Sequence, residues 1–255
     1  MAQRFTPYRS VIFPLRLWVE FFAFFIPASL LVTILPGRER RRRVARSAGR
    51  LFFRLGGITL AVSGLDQLPE GGCFVISNHA SYLDGPLLTA ALPPRFGFVI
   101  KREAMQTPII GWMLRRLGSE FVERLDTKAA WGHANRLIRL ARAGSSLGVF
   151  PEGTFEAEPG LRSFHLGAFL AATRAGIPVV PLVIRGSREI LPGETRWPRP
   201  GKIEIEVLAP IMPRGRLLDD ALALRDAVRL RMLEHSSEAE RANAKPQRAA
   251  RKRAA

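Results

Sequence analysis

Residues 17–35, LWVEFFAFFIPASLLVTIL, hold a single charge, Glu20, in 19 positions. No other stretch limits the fold so strongly, because a helix this apolar needs cover from protein or lipid on nearly every side. Crossing a bilayer takes roughly 20 apolar residues, so the length suffices for a span or a membrane-embedded segment. Pro27 sits mid-run and can kink a helix, which keeps a re-entrant or obliquely buried helix open beside a straight span. A fully buried core helix is the third reading. A cleaved signal peptide fits poorly, since the run is long and is followed by GRERRRR rather than a small-residue cleavage site.

The charge pattern bears on the same question. Of a formal net charge of +17, residues 37–50 supply seven arginines against Glu39, and residues 241–255 supply six basic residues and no acid. Arginines beside an apolar segment suit an anionic membrane surface, where each contributes about 1 kcal/mol. The positive-inside rule then keeps the chain beyond residue 36 in the cytoplasm, on the inner-membrane face, although Arg4, Arg9 and Arg16 weaken the asymmetry. Nucleic acid is the rival partner for a basic chain. Without a helix-turn-helix pattern, an aromatic RNA-binding motif or metal-finger spacing, no nucleic acid is expected. The single cysteine, Cys73, excludes an intramolecular disulfide and a cysteine zinc site.

Three domains follow from composition. Residues 1–63 read as membrane-anchoring and interfacial helices, with 41–63 basic and then amphipathic. Residues 64–235 read as the globular domain, and 236–255, without large apolar residues, as a disordered basic tail. Within 64–235, strands are expected at 73–77, 96–100, 120–122, 147–150, 179–184 and 203–208. Helices are expected at 86–92, 109–117, 128–143, 164–175 and 217–233. This alternation predicts an α/β fold, a largely parallel sheet flanked by helices. IEIEV alternates strictly, which predicts an edge strand.

Active sites of such sheets gather beyond the carboxyl ends of the strands. There the sequence places SNHASYLD after the first strand, KRE after the second, Glu123 and Arg124 after the third, and PEGT after the fourth. His79 is the candidate general base, since a neutral imidazole can take a proton from a hydroxyl. An aspartate on its other nitrogen would fix the tautomer and stabilise the imidazolium. Asp84 lies five residues on, about 140° away in a straight helix, so the two meet only if the chain bends. DGP permits a bend, with Pro86 in the first turn of the following helix. Taken alone, His-x₄-Asp favours a plainer reading, Asp84 as a helix cap and His79 as a solvated loop residue. Gly153 allows close backbone approach, and Thr154 with nearby N–H groups can hold phosphate oxygens. A simple turn with Glu152 exposed explains FPEGT equally well. Arg124 and Lys101 can each bind a phosphate, the arginine bidentately. No nucleophile motif such as G-x-S-x-G is present.

Together, NHASYLD, GSEFVER, FPEGT and IPVVPLVIRG resemble, in order, the four blocks of the glycerolipid acyltransferase family, over roughly residues 60–210. The resemblance implies the family's α/β fold and transfer of an acyl chain from acyl-CoA or acyl-carrier protein to the hydroxyl of a lysophospholipid, with 1-acyl-glycerol-3-phosphate the leading acceptor. It implies His79 as base, Asp84 as its partner, and Arg124, Glu152, Gly153, Thr154 and Lys101 around the acceptor. It also implies a donor-site role for Pro181, membrane phospholipids as partners, and neither metal nor cofactor beyond the thioester co-substrate. The chain departs from the pattern after FPEGT: Phe155, Glu156 and Glu158 stand where many members carry an arginine and a serine. Arg162 or Arg188 is the candidate to compensate. The competing expectations are a different lysolipid acceptor, a lipid hydrolase or thioesterase using the same dyad on water, and a non-enzymatic basic lipid- or nucleic-acid-binding protein.

Overall fold

Seven short strands form one sheet in the order β1-β7-β6-β2-β5-β3-β4. They are β1 (Ile58–Ser63), β2 (Phe74–Ser77), β3 (Phe96–Lys101), β4 (Glu120–Val122), β5 (Ser146–Val149), β6 (Val179–Arg185) and β7 (Gly201–Val207). The computed structural model describes residues 7–122, 127–156, 158–193 and 195–236. The expected tail 236–255 therefore lies, beyond Ser236, outside the described residues.

Five neighbouring strands, β6, β2, β5, β3 and β4, run parallel, and β7 turns antiparallel against β6. Side-chain alternation splits the sheet into two cores. Val75, Leu182 and Ile184 face one core, while Phe74, Ile76 and Val183 face the other. The first core is covered by α2 (Arg38–Leu55) and α3 (Asp84–Ala91), and the second by α5 (Thr127–Arg142), α6 (Gly167–Ala175) and α8 (Leu218–His235). Pro181, in the middle of β6, lacks a ladder N–H, which a central strand rarely tolerates. It sits where the pairing slips: Val179 bridges Ile211 but Leu182 pairs Val207, so three steps on β6 oppose four on its partner. A bulge of this kind accommodates proline.

Two expectations fail at the sheet's edge. Residues 41–63 are not one helix: α2 stops at Leu55, and 58–63 pairs in parallel with β7 as β1. The Gly56-Gly57 step ends the helix, with Gly57 at φ 71°, and the β-branched ITLAVS that follows suits a half-exposed strand. The sheet thus begins before residue 64. Consequently IEIEV, in β7, is not the edge: β1 covers it, and the alternation reflects one open face rather than an open side.

The apolar run lies within α1 (Pro7–Ile34), and Val11–Ile34 is long and apolar enough to cross a membrane. One of its faces packs on the domain through Leu17, Ala28 and Val32. The other bares Leu15, Val19, Phe22, Ile26, Leu30 and Ile34, a stripe at helical spacing. A Cβ on Gly56 would come within 2.6 Å of Leu17 Cδ1, so glycine there lets α1 approach.

The arginine run also differs from a lipid-facing patch. Four of its members hydrogen-bond backbone carbonyls, most of them at helix ends where such groups lack an intrahelical partner. Arg46 and Arg50 donate to Ala91 and Ala90 at the end of α3. Arg41 reaches Leu35 and Arg116, and Arg42 reaches Leu117, Gly118 and Arg95, closing the ends of α1 and of α4 (Pro108–Arg116). Burial, then the neighbouring Arg38, lowers the Arg42 guanidinium pKa from its usual value. Cations at helix C-termini also complement the macrodipole. Arg38, Arg40, Arg43 and Arg50 are exposed.

Candidate active site

Asn78, the first residue beyond β2, extends the sheet with its side chain. Its Nδ2 donates to the Ile184 carbonyl at 2.9 Å and its Oδ1 accepts the Ile184 N–H at 2.8 Å. This two-way amide bond fixes where the chain leaves the sheet, and the next residue is His79.

The turn that follows folds back on itself. Asp84 is fully buried, and its Oδ2 accepts from His79 Nδ1 at 2.8 Å, Ala80 N–H at 2.6 Å and Ser81 N–H at 2.8 Å. Asp84 is thus not merely a helix cap: its carboxylate points backward along the chain and gathers the turn. Ser81 completes the lock, donating to the Leu191 carbonyl at 2.8 Å and accepting from Leu83 N–H at 3.1 Å. With Nδ1 donating to the carboxylate, His79 presents Nε2 as its acceptor nitrogen, and 19% of the side chain remains accessible.

The PEGT loop meets His79 from the neighbouring strand β5. Glu152, buried, accepts His79 N–H at 2.8 Å on Oε1 and Arg162 N–H at 2.9 Å on Oε2. It therefore is not exposed in a simple turn; it joins three chain segments at the rim. Gly153 is buried with φ 80°, a left-handed conformation that suits glycine. Thr154 is exposed. Lys101, also exposed, ends β3, two strand spacings (about 10 Å) from β2 along the same rim. Arg124 follows β4 directly and lies outside the described residues.

Aromatic rings enclose the imidazole. Phe150 stacks on it at 4.2 Å between centroids, Phe155 lies against it at 4.6 Å, and Tyr82 meets Phe155 edge-on at 4.8 Å. Gly193 backs Phe155 closely: a Cβ there would sit 2.8 Å from the ring. Asn78, Ser81 and this aromatic wall are site residues that sequence reasoning gave no role. Asn78 had a signal, a polar amide immediately after a buried strand. The wall had none, since nothing in the residue types shows that the loop bearing Phe150 and Phe155 closes over the turn bearing His79 and Tyr82.

Cys73 is buried, and burial pushes its thiol pKa up, with Arg95 and Ser146 acting the other way. It is a core residue rather than a reactive one. Among the described residues no group of three His, Cys, Asp or Glu could hold a metal. The arrangement is an imidazole with an orienting carboxylate, which suits deprotonation of a hydroxyl brought by a substrate.

The chain is similar to known acyltransferases. The family model described as Acyltransferase matches residues 59–185. A chloroplastic 1-acyl-sn-glycerol-3-phosphate acyltransferase of Brassica napus is 34% identical over 51% of this chain and 38% of its own length. The 1-acyl-sn-glycerol-3-phosphate acyltransferase of Pseudomonas aeruginosa is 29% identical over 80% of each chain. The chain spans about two fifths of the length of the chloroplastic relatives it matches. The crystal structure of the 1-acyl-sn-glycerophosphate acyltransferase PlsC from Thermotoga maritima superposes with a TM-score of 0.73 at 23% identity, covering 89% of this chain and 95% of that one.

Proposed function

The chain belongs to the acyltransferase family, and from that premise we propose that it transfers an acyl group from acyl-CoA or acyl-carrier protein to the free hydroxyl of 1-acyl-glycerol-3-phosphate, giving phosphatidic acid. The acceptor is taken from relatives named for that activity. The observation that carries the chemistry is the 2.8 Å contact between His79 Nδ1 and Asp84 Oδ2 at the carboxyl end of a central strand.

In this reading His79 Nε2 removes the acceptor's hydroxyl proton as that oxygen attacks the thioester carbonyl. Collapse of the tetrahedral intermediate breaks the C–S bond, and the imidazolium returns its proton to the departing thiolate. Asp84 keeps Nδ1 protonated and stabilises the imidazolium between the two transfers. Glu152 holds the backbones of His79 and Arg162 in register. Gly153, Thr154, Lys101 and Arg124 line the acceptor's side, the two cations adding positive charge around it.

Membrane attachment runs through α1 lying along the domain rather than crossing the bilayer. Before its midpoint Trp18 Nε1 donates to the Arg196 carbonyl at 3.0 Å, and toward its end Ser29 Oγ meets Met113 Sδ at 3.3 Å while Thr33 O accepts from Arg116. Contacts about 22 Å apart along the axis would draw the domain into hydrocarbon if α1 spanned. The bare stripe of α1, continued by exposed Ile109, Ile110 and Trp112 of α4, instead suits insertion into one leaflet, on the cytoplasmic face of the inner membrane.

His79→Ala tests the mechanism. Acylation of lysophosphatidate, measured with each thioester donor, falls by about 10²–10⁴-fold, while sedimentation with vesicles is unchanged. Full activity in this variant would sink the dyad. Release of free fatty acid without diacyl product by the wild-type protein would instead favour the hydrolase reading.

A further inference from the structure

We propose that Arg162 and Arg188 form an anion subsite beside His79 that takes the acceptor's phosphate monoester, and that Glu156 is the internal anion the phosphate displaces. The proposal rests on the acyltransferase reading and names how the site meets its head group where Phe155 and Glu156 replace the cation common in the family.

Both guanidinium groups converge on one residue. Arg162 Nη1 pairs with Glu156 Oε1, and Arg188 Nη1 donates to the Glu156 carbonyl. They arrive from different parts of the fold. Arg188 lies in α7 (Ser187–Ile190), just past the carboxyl end of β6. Arg162 follows the PEGT loop, and its backbone is held on two sides: its N–H by Glu152 Oε2 at 2.9 Å and the neighbouring Leu161 carbonyl by Arg229 Nη2 at 3.0 Å. The same Glu152 carboxylate holds His79 N–H, so the Arg162 backbone is one carboxylate away from the base.

The two partners of the ion pair differ in how firmly they are placed. The Arg162 side chain is 22% exposed and springs from a pinned backbone, whereas the Glu156 side chain is 48% exposed. An ion pair to a half-exposed carboxylate is weak. A phosphate monoester carries up to two charges and three acceptor oxygens, and it can bridge two guanidinium groups in the fork geometry that arginine favours. It can therefore bridge both arginines, whereas the Glu156 carboxylate holds Arg162 and only the Glu156 main-chain carbonyl meets Arg188. Phe155 precedes Glu156 and lies on the His79 ring at 4.6 Å. Displacing Glu156 moves the residue joined to that ring, so binding of the head group is coupled to uncovering the base.

The test compares lysophosphatidate with monoacylglycerol, which has the hydroxyl and acyl chain but no phosphate. It uses the full chain as wild type, Arg162→Ala, Arg162→Lys, Arg188→Ala and Glu156→Gln. The two alanine variants raise KM for lysophosphatidate about tenfold or more relative to the change for monoacylglycerol. Arg162→Lys falls between, and Glu156→Gln lowers KM for lysophosphatidate several-fold. The gain in Glu156→Gln cannot come from misfolding. Equal changes for the two acceptors across the series overturn the proposal. Should the wild type acylate neither acceptor, the acyltransferase reading fails, and the subsite is read by equilibrium binding of labelled lysophosphatidate in mixed micelles. Weaker binding in Arg162→Ala with tighter binding in Glu156→Gln upholds it; unchanged binding in both overturns it.

Discussion

The turn 78–84 and the loop 150–156 flank the same imidazole and are held in opposite ways. In the turn, the side chains of Asn78, Ser81 and Asp84 are buried and bonded to backbone groups, with β6 and Leu191 as the outer anchors. In the loop, buried Glu152 is bonded to the His79 and Arg162 backbones, while beyond Gly153 the holds include ring contacts, an ion pair near the surface and the Arg188 bond to the Glu156 carbonyl. Buried polar networks with geometry fixed by backbone donors are costly to rearrange, whereas exposed pairs and partial ring contacts are not. The difference sets the two sides apart: the His79 ring is prepositioned, and the aromatic wall over it is the part that can yield.

Asp84→Ala strikes the rigid side hardest. It removes the tautomer-fixing partner and strands two buried N–H groups, each worth roughly 1–3 kcal/mol. The turnover number is expected to fall by about 10³–10⁴-fold, with thermal unfolding at a lower temperature. A fall under tenfold would mean that His79 does not depend on the turn. Asn78→Ala is expected to be milder in rate. It loses both bonds to Ile184, lowering stability by about 2 kcal/mol, and reduces turnover about tenfold through misplacement of His79. Denaturant melts beside steady-state rates check both numbers; unchanged stability would show that the amide link to β6 is not what fixes the turn.

How much of this was legible beforehand follows the same division. Strands β2 to β6 and the dyad could be read because each rests on local signals: a buried apolar run, a turn residue, a polar motif at a strand end. The Asp84 carboxylate could be placed near His79 only because DGP allows a bend. Its two further bonds to Ala80 and Ser81 are backbone facts that no residue type announces. The role of Arg41, Arg42, Arg46 and Arg50 was misread because charge alone looks the same whether it faces lipid or a helix end. What decides is the three-dimensional position of the carbonyls of α3 and α4, more than 40 residues away in most pairs. β1 was lost for a related reason: ITLAVS follows a long amphipathic helix, and only its partner β7, over 130 residues on, makes it a strand.

Phe155→Ala presses on the yielding side, and its expected effect on stability is the smallest. The ring is half-buried, so truncation costs about 1 kcal/mol of lost apolar contact. It breaks no backbone hydrogen bond. What changes is access. With the ring gone, more of His79 is open while Phe150 still stacks on it at 4.2 Å and Asp84 still holds Nδ1. An imidazole-acylating reagent, with modified peptides mapped so that His79 is scored apart from His133, His165 and His235, should therefore react with His79 several-fold faster than in the wild type. In Asp84→Ala the ring stays covered but loses its orientation, so the same reagent should report no comparable gain. If instead Phe155→Ala unfolds the turn, or leaves the modification rate of His79 unchanged, the loop is as structural as the turn, and the contrast between a fixed base and a yielding wall is gone.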